Sequence, residues 1–376
     1  MKRIWFFLIT FLLLFAAIGS RDTIASLDRA MVHAVGIDKS SEGVSVTLQI
    51  FRPEGNGSET TLDPAKANIF VISASAPTVG EAMNKCEDRL GEYLFIGHGQ
   101  VIVLGSGADL GEDSDLLSYF LKSKESFLGV RLASAEGSAA ELLSAELSEG
   151  AVAAQSLVNI IKRHAENSSA IDCDLLDAVN ARGRCLAMPV LSISGGSKGS
   201  GDGQESSRSE KSPEADKTVS ADKTQVFIKG KRAFELSGDE CMGLALLIGQ
   251  GERAVIPVGS REGLSAVTVE YKDRDVSLTE EDGRLKLRFS ITVTVKRSQS
   301  TDLLFDEDTL ARDCERLLTE KCRLALEKCT AGKADLFGAA DLIASVYPEL
   351  ASRIGDDADR LFSVLDTDAE VTCRIS

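Results

Sequence analysis

The chain has few of the residues and motifs that mark the common catalytic classes. Its 376 residues include three histidines, one tryptophan and 5% aromatic residues in all. It has no HExxH metal-binding motif and no Walker A motif, so the patterns typical of zinc proteases and P-loop nucleotide-binding proteins are missing. No CxxC pair occurs among its eight cysteines. We therefore expect no enzyme activity, no cofactor and no metal site.

Positive charge is also in deficit. The chain carries 42 Lys and Arg against 58 Asp and Glu, for a net charge of −16. That sign argues against binding to nucleic acid and against electrostatic adhesion to an anionic bilayer. Attachment to a membrane would then have to come from the N-terminus or from a protein partner. A hydrophobic content of 43% in a chain of this length is enough for two or three domains with their own cores.

The N-terminus has the order of an export signal. Lys2 and Arg3 precede an apolar run over residues 4–18 that only Thr10 interrupts, and small residues follow. A helix of that length measures about 22 Å, short of the roughly 30 Å hydrocarbon core. The length favours a signal peptide, cleaved within residues 1–20, over a stable membrane span, and retention as an uncleaved anchor stays open.

The residues after the apolar run resemble a bacterial lipobox with one difference. Ala17, Ile18 and Gly19 fit the small-residue pattern, but Ser20 stands where the lipid-bearing cysteine belongs. A hydroxyl group cannot replace the thiol in the thioether that carries the lipid. We therefore expect no lipidation of the chain as written.

Hydrophobic periodicity predicts alternating strands and helices along the chain. Expected before residue 194 are a hairpin of strands 28–37 and 43–52, strands at 69–76, 99–104, 127–134 and 185–193, and helices at 78–90, 113–122, 137–147, 152–166 and 172–181. Expected after residue 223 are strands at 225–235, 254–258, 265–278, 284–297 and the C-terminus, and helices from 237, over 307–330 and over 337–347. Pro348 is expected to stop the last of these helices. The fold class is α+β, with mixed or antiparallel sheets and packed helices in several domains.

A tract at residues 194–223 interrupts this pattern. It consists mainly of Ser, Gly, Asp, Glu and Lys and has almost no large apolar side chain. Such a segment buries too little surface to offset its ordering entropy, so we interpret it as a flexible linker. Residues 21–193 then form an N-terminal region, and residues 224–376 form a C-terminal domain.

The cysteines fit structural roles. Cys314, Cys322 and Cys329 recur on one face of the long helix predicted over 307–330, too far apart to share a metal ion or a disulfide. We expect them to be buried. Cys173 and Cys185 could form a disulfide, and the sequence leaves that open.

Three segments resemble the C-subunit lipoproteins of bacterial spore-germination receptors, the Ger(x)C family. The first runs from Arg21 to Ile24 and on through Ala34-Val35-Gly36-Ile37-Asp38. The second is similar to the family's (L/F)-F-x-G-H-x-Q-V pattern and contains Gly97, His98 and Gln100. The third matches its K-A-D-(I/L)-F-G ending, and contains Asp335, Phe337 and Gly338 followed by Tyr347 and Pro348. Two departures are Ser20, in place of the acylated cysteine, and residues 26–29, which do not reproduce the family's acidic stretch.

The resemblance implies a membrane-associated, outward-facing subunit of a nutrient-germinant receptor in the spore inner membrane. It also implies a mixed α/β fold of three small domains, two of them within residues 21–193 and the third over residues 224–376. It implies partnership with a multi-spanning A-type subunit and a transporter-like B-type subunit, and no catalysis. The roles of the motif residues stay open. So do two other function classes: an extracytoplasmic solute-binding protein, and less favourably an exported hydrolase.

Two local patterns could still indicate chemistry. His98, in the second motif, could be a base or a ligand, although a structural or partner-contact role suits an isolated histidine better. The segment from Gly105 to Gly111 follows a predicted strand as a dinucleotide fingerprint would, but its last glycine comes one residue late. A tight loop is the simpler interpretation.

Overall fold

The computed structural model describes most of the chain. The described residues are 29–51, 69–111, 116–123, 128–147, 150–181, 183–195, 217–260, 263–281, 283–296 and 306–375. The predictions for the signal segment, for Ser20 and for the centre of the linker, residues 196–216, lie outside them.

The described residues form ten helices. They are α1 (Val79–Leu90), α2 (Leu116–Lys122), α3 (Ala139–Leu143), α4 (Ala154–Glu166), α5 (Leu175–Asn180), α6 (Asp239–Ile248), α7 (Glu307–Ala331), α8 (Ala339–Val346), α9 (Pro348–Ile354) and α10 (Ala358–Val364).

Fifteen strands accompany them. They are β1 (Arg29–Ser40), β2 (Gly43–Phe51), β3 (Ile69–Ala76), β4 (Tyr93–Phe95), β5 (Val101–Leu104), β6 (Arg131–Ala135), β7 (Glu146–Leu147), β8 (Gly150–Ala151), β9 (Cys185–Gly195), β10 (Lys217–Ile228), β11 (Lys231–Ser237), β12 (Arg253–Ser260), β13 (Gly263–Glu281), β14 (Arg284–Lys296) and β15 (Leu365–Ile375).

A nine-stranded mixed sheet organises the first part of the chain. Its order is β11-β10-β9-β6-β5-β1-β2-β3. Strand β1 has an irregularity between Val32 and Ala34; residues before it pair with β4, and residues after it pair with β5. The neighbours from β9 through β6 and β5 to β1 are parallel, and the outer pairs are antiparallel. All strands from β1 to β9 join this sheet except β7 and β8, which pair with each other. The two small domains expected within residues 21–193 stay a prediction.

Helices pack on both faces of this sheet. On one face, Val35, Leu48 and Met83 belong to a core that contains residues of α1, α2 and α5. On the other face, Ala34 and Val103 pack with residues of α3 and α4. The first hairpin and α1 confirm the prediction from alternating hydrophobicity, and Thr78 caps α1 by accepting from the Glu81 amide.

A four-stranded sheet organises the rest of the chain, in the order β12-β13-β14-β15. The first three strands form an antiparallel meander, and β15 joins β14 in parallel. Helices α6 and α7 pack on this sheet, and Cys314, Cys322 and Cys329 of α7 are fully buried, as predicted. The predicted α+β class with mixed sheets and packed helices is confirmed.

The largest difference from the sequence prediction concerns the linker. Residues 217–223, which we assigned to it, belong to β10, which pairs antiparallel with β9 as far as Lys217 opposite Gly195. The single strand predicted over 225–235 is a hairpin that turns at Lys229 and Gly230, both with positive φ. This hairpin joins the first sheet through the pairing of β10 with β9, and the assignment of residues 224–376 to a C-terminal domain stays a prediction.

Candidate functional site

An open cleft of about 390 Å³ lies where the two sheet regions meet. One wall comes from the first region, with Arg184 and Cys185 at the start of β9 and Lys229 in the β10–β11 turn. The other wall comes from the segment between α7 and α8 and from the segment before α10. Ile171 and Ile248 provide apolar surface. The cleft therefore combines apolar and charged groups, as binding sites for small polar ligands or peptide segments do.

An ion pair bridges the two walls of the cleft. Arg184 Nη1 lies 2.6 Å from Asp341 Oδ2, and both side chains are more than 60% exposed. The Asp341 carboxylate raises the pKa of Arg184 through this hydrogen bond and its charge. Lys333, on the C-terminal wall, pairs with Asp359 of α10. Because water screens such exposed pairs, a charged ligand could replace either one at small cost.

Asp335, from the third motif, has a structural role at the edge of the cleft. Its carboxylate accepts hydrogen bonds from the amides of Ala339 (2.9 Å), Ala340 (2.8 Å) and Phe337 (3.3 Å). A negative charge at this end of α8 also offsets the helix dipole. Asp335 therefore fixes the start of α8 against the cleft.

The neighbouring motif residues anchor the same turn. The ring of Phe337 meets that of Phe289 edge to face, with centroids 5.7 Å apart, and so attaches the turn to β14. Gly338 has φ +76°, a conformation that disfavours side chains, and it lines the cleft. These contacts explain why a D-x-F-G sequence suits the position.

Tyr347 and Pro348 connect two helices. The Tyr347 amide donates to the carbonyl of Ile343, and its own carbonyl accepts from Leu350 and Ala351. Pro348 occupies the first turn of α9, where no amide hydrogen is needed. Pro348 therefore ends α8, as predicted, and also begins a further helix that we did not predict.

The second motif lies at the end of the first sheet. The Gln100 amide donates to the His33 carbonyl at 2.8 Å, and the Gln100 carbonyl accepts from the Arg131 amide at 3.1 Å. Gly97 lies in the turn before them. The exposed ring of His98 meets Phe95 edge to face, with centroids 5.3 Å apart. Gln100 therefore joins β1 to β6, and His98 faces solvent beside an aromatic ring.

Arg131 connects this motif to the cleft. Its Nε lies 2.8 Å from Oδ1 of Asp172, without the alignment of a hydrogen bond, and both side chains are partly buried. Asp172 lines the cleft. Gln100, Arg131 and Asp172 thus form a polar edge that leads from the second motif to the cleft, where the third motif lies. The side chains of the two motifs do not meet in one site.

The cysteine thiols among the described residues are poorly suited to act as nucleophiles. Burial raises the pKa of the thiols of Cys322 and Cys329 to about 12, which opposes thiolate formation. Cys173 and Cys185 are both free thiols, and burial raises the pKa of each. No group of three His, Cys, Asp or Glu in the described ranges could hold a metal ion.

The loop from Gly105 to Gly111 is occupied by a side chain of the protein itself. The guanidinium of Arg232 donates to the carbonyls of Gly105 (2.7 Å), Leu104 (3.3 Å) and Ala108 (3.2 Å). Carbonyls directed at a cation are the opposite of the amide cradle that a pyrophosphate requires. The loop is therefore a packing loop.

Sequence reasoning found the motif residues and missed the other residues of the cleft. Arg184, Lys229 and Asp341 stand in no recognisable motif, and they come together only through the fold. The Lys229-Gly230 sequence of the β10–β11 turn was the local signal available, since glycine in such a pair favours a tight hairpin.

The fold and the cleft define a class: an α+β protein of two sheet regions that meet at an open, mixed-charge cleft. Two family models match the chain. One is described as the spore germination protein N-terminal domain, over residues 26–193, and the other as spore germination B3/GerAC like, C-terminal, over residues 222–376. The chain therefore belongs to the spore germination GerAC-like family, that of the germinant-receptor C subunits.

A solved structure agrees with this family. The crystal structure of the GerBC protein superposes with a TM-score of 0.52 at 16% identity, covering 91% of this chain and 96% of that chain. At this identity the likeness shows a shared fold. No individual curated protein sequence matched the chain at the significance level applied. Among the described helices, none is long and apolar enough to cross a membrane.

Proposed function

We propose that this chain is the non-catalytic C subunit of a spore nutrient-germinant receptor. It acts at the extracytoplasmic face of the spore inner membrane through contacts with A-type and B-type membrane subunits. The observation that carries the proposal is the match of the two family models to both halves of the chain.

The cleft and the polar edge beside it are the surface through which the subunit would act. Arg184, Asp341, Lys229 and Lys333 combine both signs of charge at the junction of the two regions. A partner loop or a ligand bound there would contact both regions at once. Gly97, His98 and Gln100 hold one end of this edge, and Asp335, Phe337, Gly338, Tyr347 and Pro348 hold the other.

A deletion strain tests the proposal. Spores that lack the gene should germinate slowly or not at all with a nutrient, while vegetative growth and germination by a receptor-independent trigger stay normal. Complementation with the wild-type gene should restore the response. Normal nutrient germination in a strain without a paralogue would contradict the proposal.

Charge reversal in the cleft tests the surface. We expect Arg184→Glu to impair complementation. The double variant Arg184→Glu with Asp341→Arg should restore the ion pair with its charges exchanged, and it should still impair complementation because the exchanged charges disturb a bound partner. The matched control is Arg323→Glu, because Arg323 pairs with Glu320 and Glu327 on the exposed face of α7, away from the cleft. Equal complementation by all four proteins would show that the cleft is not the contact surface.

The mode of attachment forms a separate part of the proposal. Ser20 offers no thiol, so we expect an unlipidated protein in the spore membrane fraction, and we expect Ser20→Cys to introduce lipidation. Intact-mass measurement of the native protein decides between the possibilities. A diacylglyceryl adduct on the wild type would contradict the expectation, and a chain that begins at Ser20 would show that partner contacts alone hold the protein in place.

A further inference from the structure

One end of the first sheet exposes a group of aromatic and apolar side chains. We call it the aromatic patch and define it as Met31, His33, Phe51, Tyr93, Phe95 and His98. Met31 lies directly opposite both Phe51 of β2 and Phe95 of β4, so these three side chains share one face of the sheet. Tyr93 shares it because it is two residues from Phe95 on the same strand.

Ring contacts hold the patch together. His33 stacks on Phe51, with centroids 5.4 Å apart and planes 11° from parallel. His98 meets the edge of Phe95, and the Arg29 guanidinium lies over the same ring, 5.5 Å from its centroid. These contacts already order the side chains, so docking of the patch on another surface would cost little further side-chain entropy.

The same sheet face is covered elsewhere. Two residues before Phe51, Gln49 is 1% exposed, and its amide donates to the carbonyls of Leu143 and Val152. Beyond that point the exposed fractions rise to 38% for Met31, 37% for Phe51 and 57% for Tyr93. The helices that cover the centre of this face end short of the patch.

The position of the patch along the chain indicates what it contacts. β1 begins at Arg29, beside Tyr93, and only residues 19–28 separate it from the apolar run at residues 4–18. That connection spans at most about 40 Å when fully extended. A chain held in a bilayer by residues 4–18 would therefore keep the patch near the lipid surface at high effective concentration.

The chemistry and size of the patch favour lipid over a protein. Tyr and Arg concentrate at membrane interfaces, because each combines an apolar body with a polar end or a charge that reaches water, and the Phe rings of the patch add apolar surface. Six side chains are far fewer than the roughly 20–30 residues per side of a stable protein interface.

We propose that the aromatic patch docks on the bilayer interface and orients the protein with this end of the first sheet toward the lipid. The proposal rests on the membrane-proximal location proposed above. It places the cleft on a fixed side of the molecule relative to the membrane. The apolar run at residues 4–18, where it is retained, keeps the protein close to the membrane, and the patch sets the orientation of the protein on it.

Fluorescence quenching by brominated lipid tests the proposal. Trp5 is the single tryptophan, so Trp5→Phe provides a background free of tryptophan emission. Tyr93→Trp and, separately, Phe51→Trp place a reporter in the patch of the full-length chain, and Val255→Trp places one on β12, where the native side chain is 60% exposed. Each protein is reconstituted in phosphatidylcholine and phosphatidylglycerol vesicles with and without brominated acyl chains.

We expect the tryptophans at 93 and 51 to lose emission in brominated vesicles and to shift to shorter wavelength, and the tryptophan at 255 to do neither. Vesicle-bound protein with no quenching at 93 and 51 would overturn the proposal, and would reserve the patch for a protein partner or a second copy. Quenching at all three positions would overturn it too, because the contact would then lack orientation. Germination of the deletion strain remains a separate measurement, so either idea can fail alone.

Discussion

The carboxylate of Asp38 accepts a hydrogen bond from the backbone amide of Ala139, 101 residues later in the chain, at 2.8 Å. It also accepts from the Ala140 amide and from the Ser138 hydroxyl. Asp38 ends the Gly36-Ile37-Asp38 part of the first motif, and a side chain at Gly36 would meet Leu143 of α3. This motif therefore attaches α3 to β1.

Removal of that carboxylate should destabilise the protein. We expect Asp38→Ala to lower the free energy of unfolding by about 1–3 kcal/mol, because three donors at the start of α3 lose a charged acceptor. Asp38→Asn keeps one acceptor oxygen and should cost less. Urea unfolding measures both, and equal midpoints for the wild type and Asp38→Ala would contradict this role.

A second prediction concerns the crossing of α6 and α7. Gly243 lies against the backbone of Lys321, and an added Cβ would clash with the Lys321 carbonyl, which cannot move without its helix. We expect Gly243→Ala to destabilise by about 1–3 kcal/mol or more, despite a gain of roughly 1 kcal/mol in helix propensity. Thermal unfolding monitored by circular dichroism measures the change.

The control for that variant is Gly80→Ala in α1. A Cβ at position 80 would meet Tyr119 at an ordinary 3.5 Å. The propensity gain should then dominate, so Gly80→Ala should be neutral or stabilising. Equal effects of the two variants would show that the helix crossing tolerates a methyl group.

Two carboxylates at the cleft should contribute unequally to the stability of the protein. Asp335→Ala removes three hydrogen bonds to backbone amides and should cost about 1–2 kcal/mol of stability. Asp341→Ala breaks only the exposed pair with Arg184 and should cost less than about 1 kcal/mol. Urea unfolding separates them, and a larger loss for Asp341→Ala would reverse the assigned roles.

His33 should make stability depend on pH. Burial lowers the pKa of His33 below its usual 6.5, and the charge of His98 lowers it further. The unfolded chain therefore takes up this proton more readily than the folded chain, and the contribution of His33 to stability falls as pH drops through about 6.5. His33→Phe keeps a ring against Phe51 and removes the titration.

The measurement for His33 is urea unfolding at pH 7.5 and at pH 5.5. The stability of His33→Phe relative to the wild type should rise at the lower pH. An unchanged difference between the two proteins at both pH values would contradict the prediction. His164, whose pKa is lowered by burial as well, is present in both proteins and cancels.

Cleavage in the Ser- and Gly-rich tract should not separate the protein into two particles. We expect a specific protease site inserted at Ser206 to be cut readily, as the composition of residues 194–223 predicts. Because β9 and β10 pair on either side of the tract, the two fragments should still migrate together on gel filtration and separate only in denaturant. Separation of the fragments under native conditions would show that the tract is a boundary between two independent domains.

Local patterns predicted well what depends on neighbours in sequence. The hairpin of β1 and β2, the capped helix α1 and the buried cysteine face of α7 follow from periods of 2 and 3.6 and from a capping threonine. The start of β10 could not be predicted in this way, because most of its residues are polar and its stability comes from pairing with β9.

The candidate site was predicted only in part, for the same reason. Asp335, Phe337 and Gly338 were found from their motif, but the opposite wall of the cleft comes from Cys185 and Lys229, more than a hundred residues away. No single segment contains the information that brings these walls together. The aromatic patch was missed because Tyr93 lies in a strand that was not predicted, and because nothing in the local pattern around Met31 and Phe51 shows where α3 and α4 end.

The parallel pairing of β15 with β14 affects how the chain acquires its shape. All of α7 to α10 must be synthesised before residues 365–375 can reach residues 285–295. Contacts between distant segments form slowly, because a long loop has to close first. Until then β14 presents an open hydrogen-bonding edge with Ile291, Val293 and Val295 unshielded, the kind of edge that pairs with other chains. The period just before β15 pairs is therefore when this protein is most exposed to aggregation, and a chaperone that covers strand edges would protect it at that stage.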